Sequence, residues 1–353
     1  MTVYAENNGY VAVKVESSYG ADPALTIPGN LLYVDEATID AQKQVLRRQG
    51  MSPYAGGFRP VAGVDEVTVS LTRELTLLTI TGGTERPPED PILRACGFVA
   101  VESAPTDNKL VTYTARSFGA TGSITVELKE HNQANDDGWE HQARGVRGDW
   151  TIALDPAARW TIAMAGVGSA YAHTRLNAAR EVAVDYGALP VPSVSGAATC
   201  VITRVDNAGS DVTSYPAAGR VVSLNVTGNN GAQIQRGTCG QRVDFVPGDG
   251  PSGTLVVEVV DQDQFDPWGA IEEADLIEIT ISSPAAQAGN TASGDYHVLT
   301  WRCYVESIAA GADSGAKTWS LSLFNAYPDD TADGGGLKPA DSFTFAYGTY
   351  TAP

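Results

Sequence analysis

The chain has 353 residues, 43% hydrophobic and 18% charged, with 37 glycines and 19 prolines, a length that suits two ordinary domains and a composition too apolar for a disordered chain. Its formal charge is −19, with 15 basic against 21 acidic residues up to Asn177 and 8 against 21 beyond it. Neither half offers phosphates a counter-charge, which excludes a grip on nucleic acid or on an anionic membrane surface.

The first residues, MTVYAENNGY, lack a basic segment followed by an apolar one, so synthesis in the cytoplasm without a leader is expected. From there, large apolar residues alternate with small or polar ones: Val11, Val13, Val15; then Val67, Val69, Leu71. Such period-two runs predict strands with one buried face. A break follows at EDPILRACGF, where Asp90 can cap, Pro91 suits the first helical position, and Gly97 can end a short helix. Ile92, Leu93 and Cys96 are its expected anchors. Alternation resumes at Ile124, Val126, Leu128 and in GDWTIALDPAARWTIAMAG, with Trp150 and Trp160 leading two strands.

Residues 123–147 predict a hairpin whose tip concentrates Asp136 and Asp137. It has two readings: a strand pair within one sandwich, or an arm reaching a neighbouring subunit. Under the second, Glu127, Lys129, Asp136, Asp137, Trp139 and Glu140 are candidate assembly or lumen residues.

The second half repeats the order. Strands are predicted at Leu255–Val259, Ile277–Ile281, Leu299–Val305 and Trp319–Leu323, and FDPWGAIEEAD predicts a second short helix anchored by Trp268 and Ile271. Asp266 stands 176 residues after Asp90, half the chain. The expectation is an all-β protein of two tandem β-sandwich or half-barrel domains, residues 1–177 and 178–353, each with one short flanking helix and related by internal duplication. The boundary is placed at about 175–192, where prolines and glycines loosen the chain.

Motifs of catalysis do not emerge. GDGPSG, residues 248–253, has the spacing of a dinucleotide loop, but Pro251 and a following strand make it a turn. Asp261, Asp263 and Glu272 imitate a calcium loop whose glycine position holds Asp266. His131, His141, His173 and His297 have no ligand spacing, and Cys96, Cys200, Cys239 and Cys303 have no C-x-x-C. No G-x-S-x-G elbow occurs either. No enzyme activity, cofactor or metal is expected, and the cysteines read as buried free thiols.

Three stretches in order carry a resemblance: VKVESSYGADPALTIPGNLLYVDE, DPILRACGF and HQARGVRGDWTIALDPAARWTIAMAG. They resemble the tail tube proteins of long, non-contractile tailed bacteriophages. Glu16, Ser17, Tyr19 and Gly20 match that family's opening stretch; Leu93, Ala95, Cys96 and Gly97 its short helix; Ala143, Arg144 and Gly145 its turn before two strands. The match is clear over roughly residues 10–166 and faint beyond.

The resemblance implies a β-sandwich subunit of a virion tail, assembled in the bacterial cytoplasm into stacked rings whose hairpins join in an inner barrel. It further implies tape-measure, tail-tip and tail-terminator partners and genomic DNA passing without specific binding, with no membrane. Two tube domains in one chain predict a trimer of pseudo-sixfold symmetry, the alternative being a hexamer with the second half outside. An acidic lumen suits a sliding duplex. The competing class is a carbohydrate-binding or adhesin-like sandwich, for which Trp139 is the stacking candidate; a hydrolase is a third.

Overall fold

The alternating runs become strands whose apolar faces meet across antiparallel pairs. The computed structural model describes residues 4–27, 29–46, 61–77, 86–103, 108–115, 122–132, 137–154, 159–176, 199–205, 211–216, 221–237, 240–246, 250–260, 264–283, 294–313, 315–326 and 342–350. The expected boundary at 175–192 falls almost wholly outside them, as do Asp136 and Cys239.

In chain order the first half contains β1 (Tyr4–Val15), β2 (Leu31–Leu32), β3 (Glu36–Leu46), β4 (Val61–Glu74), α1 (Asp90–Ala95), β5 (Phe98–Ser103), β6 (Asn108–Ala115), β7 (Ile124–Asn132), β8 (Gly138–Leu154), β9 (Thr161–Gly168) and β10 (Ala170–Leu176). The second contains β11 (Thr199–Val205), β12 (Asp211–Pro216), β13 (Val221–Gly228), β14 (Ala232–Gly237), β15 (Gly240–Phe245), β16 (Pro251–Glu258), α2 (Pro267–Glu272), β17 (Leu276–Ser283), β18 (Gly294–Asp313), β19 (Ala316–Asn325) and β20 (Phe343–Tyr350). The protein is thus all-β, with two short helices among the described residues, as its alternation predicts.

Three antiparallel arrays share two long strands. β8 pairs with β7 and β10 along its first part, in the order β2–β1–β7–β8–β10. From Arg147 onward it pairs instead with β9 and β13. The central array runs β3–β4–β9–β8–β13–β16–β19–β18. β18 then serves a third array, β12–β11–β17–β18–β20–β6–β5.

Gly145 sits where β8 changes arrays, at φ +62°. A Cβ there would stand 2.2 Å from Ser169 Oγ and 3.0 Å from the Tyr19 ring, so only glycine fits the crossing.

The pairing order of the first half recurs in the second. β1–β2, β1–β7, β7–β8 and β8–β10 have counterparts in β11–β12, β11–β17, β17–β18 and β18–β20. Likewise β3–β4, β4–β9 and β8–β9 correspond to β13–β16, β16–β19 and β18–β19. Two hairpins break the parallel. β5–β6 follows α1 and pairs with β20 of the other half, while β14–β15 interrupts the step from β13 to β16 and packs on β8 and β9.

The core does not stop at the middle of the chain. Trp150 packs against Phe98 and Phe343, with ring centroids 5.0 and 4.8 Å apart. His297 from β18, fully buried, donates through Nε2 to Thr76 O at 2.8 Å. One continuous apolar cluster holds residues of both halves, from Val11 to Tyr347.

Candidate assembly edges and the uncovered sheet face

The predicted hairpin of residues 123–147 forms, with Ile124 opposite Val146 and His131 opposite Gly138. It is not a free arm. β1 covers the outer edge of β7 and β10 that of β8, so both edges of the described hairpin are hydrogen-bonded within the chain. Within the chain it is a strand pair inside a sheet, and its tip, residues 133–136, lies outside the described residues.

The candidate residues on that hairpin are accordingly engaged locally. Glu127 is buried, which pushes its carboxyl above the usual range while the nearby Lys129 ammonium opposes the shift. Lys129 Nζ lies 3.1 Å from Glu127 and 3.5 Å from Glu140, and also over the Tyr10 ring. Asp137 accepts from Arg175 at 2.7 Å, and that bond holds its carboxyl below the usual range. Trp139 is half-buried against His173, their rings 6.1 Å apart. None of them stands on the central array. His131 and His141 lie on opposite faces of the hairpin, His131 stacked on Tyr10 and His141 bonded to Tyr171 OH at 2.6 Å.

The helices divide. In α1, Ile92, Leu93 and Cys96 are buried as anchors, and Gly97 at φ +83° ends the helix. Asp90 is not the cap: Glu89 holds that position, and the Asp90 carboxylate accepts from Tyr113 OH at 2.7 Å and pairs with Arg94. In α2, Asp266 caps Gly269 N at 3.0 Å, and Ile271 packs against the core. Trp268 is no anchor; it is 55% exposed. The cap fixes the first turn so that Pro267 and Ala270 face inward, and Phe265, just before it, supplies the buried aromatic against Trp319.

The two motif stretches nearest the N-terminus and the turn meet in space, which no spacing argument foresaw. Buried Glu16 accepts from Gly20 N, Ser123 Oγ, Thr125 Oγ1 and Gly145 N, all within 2.6–2.8 Å. Tyr19 OH donates to Gly145 O and accepts from Val243 N of β15. A carboxylate followed by small donors at short range was the available signal, but its long-range partners lie over 100 residues away.

Two edges of the central array stay open. Among the described residues β3 pairs with β4 alone, and β18 from Tyr304 onward with β19 alone. On β3, Ala37, Ile39 and Ala41 pack toward the core and Glu36, Thr38, Asp40 and Gln42 are exposed. On β18, Ile308 packs inward, and Ser307 and Ala309 to Asp313 are exposed. An antiparallel edge of this kind is a template for a further strand.

Between those edges, one face of the eight strands turns away from the core. It carries short side chains: Thr68 and Ser70 on β4, Ala163 and Ala165 on β9, Thr151 on β8, Asn225 and Thr227 on β13. Its acids include Glu36, Asp40, Glu66, Glu258 and Asp313. Among the described residues of these strands, the sole cation at a position on that face is Arg147. Its guanidinium stacks 4.8 Å over Tyr19 and donates to Gly122 O and Val243 O, under the β14–β15 hairpin at the rim. The face therefore presents neutral and acidic groups.

No protein-family model matches the chain, and no curated protein sequence matches it.

Proposed function

We propose that the protein is the ring-forming subunit of a phage tail tube, a structural virion protein without enzymatic activity. The single observation that carries this reading is the internal junction of β8 with β13. There the central strands of the first half join those of the second head to tail, leaving the matching edges, β3 and β18, open at the two ends. A heterologous contact of this kind, repeated between copies, generates a ring where the rotation from copy to copy closes. The recurrence of the pairing order supports an internal duplication, with each chain filling two positions.

Strand count bears on how many chains close the ring. Eight central strands per chain among the described residues, spaced about 4.8 Å apart and tilted about 40° as barrel closure requires, give three chains a barrel of roughly 48 Å backbone diameter. With side chains reaching about 5 Å inward, the bore is roughly 38 Å, room for a hydrated duplex; two chains leave roughly 22 Å, about the width of a bare duplex with no room for its hydration. A trimer of pseudo-sixfold symmetry is the reading these dimensions favour.

The uncovered face then lines the bore. Its hydroxyls, methyls and carboxylates release no counterions from a passing duplex, so DNA slides through instead of adhering. Stacked rings, a tape-measure protein that sets length, and tail-tip and terminator proteins that begin and end the tube complete the virion tail.

The test is negative-stain electron microscopy of the concentrated protein with end-on class averages. Hollow rings or tubes with threefold modulation are expected. Rings with six full chains overturn the stoichiometry, and compact monomers that bind saccharide overturn the function in favour of an adhesin-like module.

A further inference from the structure

The chain contains its own template for how one copy meets the next. At the internal junction Trp150 stands opposite Gly228, Ile152 opposite Val226 and Leu154 opposite Leu224. The recurring pairing order makes β18 the counterpart of β8, and β3 that of β13. Residues can be matched within these strands. Val146 faces Ile124 of β7 just before β8 changes arrays, as Cys303 faces Ile277 of β17. Stepping along the core face from there, and passing the bulge between Val305 and Ser307, Trp150 corresponds to Ile308, Ile152 to Ala310 and Leu154 to Ala312.

The other side follows through the intervening strands. Trp150 faces Met164, which faces Leu71, which faces Ala37. Ile308 faces Leu321, which faces Leu255, which faces Leu224. Ala37, Ile39 and Ala41 are thereby the counterparts of Leu224, Val226 and Gly228.

We propose that β3 of one copy adds antiparallel to β18 of a second copy in a single register, with Ala41 opposite Ile308, Ile39 opposite Ala310 and Ala37 opposite Ala312. This rests on the ring reading and specifies its contact. The register is fixed by volume. At the internal junction the smallest residue faces the largest, since a Cβ on Gly228 would meet the Trp150 indole at 2.1 Å. Two of the three proposed pairs again set small against large, Ala41 against Ile308 and Ala310 against Ile39, and the alanine pair, Ala37 with Ala312, falls at the end of the contact. A slip of two residues one way sets Ile39 against Ile308, crowding that pair and leaving no large residue opposite Ala310. Two residues the other way sets Lys43 against Ile308, and one residue turns the apolar face of β3 outward.

The experiment uses the exposed face of both edges, where substitution leaves the core intact. In the proposed register Asp40 lies opposite Ala309, so the full chain carrying Asp40→Cys with Ala309→Cys is concentrated, imaged for rings, oxidised, and run on a non-reducing gel. Directly opposed positions reach disulfide distance whereas positions two residues off do not, so linked oligomers should exceed those of Thr38→Cys with Ala309→Cys by about tenfold. Alongside, hydrogen exchange of the unsubstituted protein should show new protection at 37–42 and 307–312 when rings form. Rings that link equally through the slipped pair, or that leave either edge unprotected, overturn the register while the ring reading stands. Absence of rings in the unsubstituted protein overturns both.

Discussion

The two halves of this protein solve one pairing problem with different sequences, and their helices show how much freedom that leaves. α1 is enclosed. Glu89, at its start, is fully buried, accepts from Thr76 N and Oγ1 at 2.9 and 2.8 Å, and lies 3.3 Å from the equally buried Arg73. α2 is held along one side only, packing on β18, with its cap to Gly269 and with Trp268 outside. The strand order tolerates either arrangement, because it is set by which faces are apolar and by where the long strands cross between arrays. The helices only close the ends.

That contrast is sharpest when each helix start is removed. Glu89→Ala strands the Arg73 guanidinium in the core, and breaking a buried pair costs about 3–5 kcal/mol. The matching change in the second half, Asp266→Ala, removes a cap and costs about 1 kcal/mol. Urea unfolding of the two variants measures the gap, and equal losses would mean that the halves are held alike.

His297 tests the seam between the halves. Burial holds its imidazole far below the ordinary value, at about 3, against 6.5 when unfolded. Since the folded form resists protonation, its contribution is whole above pH 6.5 and is lost as pH falls toward 3. The loss approaches about 1.4 kcal/mol per pH unit, or about 3 kcal/mol near pH 4. Thermal melts from pH 7 to 4 should steepen for the natural chain and flatten for His297→Gln; equal slopes would remove His297 from the account.

Gly228→Val drives a side chain into the Trp150 indole where the halves join, at a cost of about 3 kcal/mol, whereas Ala41→Val at the open edge should leave the monomer's melting temperature almost unchanged. Glu16→Ala leaves the donors of Gly145, Gly20, Ser123 and Thr125 without their acceptor, for a loss of about 2 kcal/mol by the same melts. The smallest effect is expected at the exposed indole: Trp268→Ser should change stability by no more than about 0.5 kcal/mol.

The alternation at Val67–Leu71, Trp150–Leu154 and Trp319–Leu323 was legible because period two leaves one assignment for each residue's face. The two Asp-Pro starts were legible as helices, since proline and glycine punctuate locally. Which helix residue is buried was less so. Trp268 reads as an anchor from hydrophobicity alone, and it is exposed because the Asp266 cap rotates the short turn and Phe265 already fills the site. The hairpin's neighbours were not legible either, because β1 and β10, which pair along its two sides, come from over 100 residues upstream and about 30 downstream.

By itself the sequence determined the all-β class, the strand faces and the acidic character of the surface, because these depend on side chains within a few residues of one another. Tertiary structure decided the rest: that β8 and β18 each serve two arrays, that Glu16 and Tyr19 clasp Gly145, and that, among the described residues, β3 and β18 are the open edges of the central array. Strand partners are chosen by shape and volume between residues far apart in the chain, and a linear pattern of apolar and polar residues fixes each face but not the neighbour that covers it.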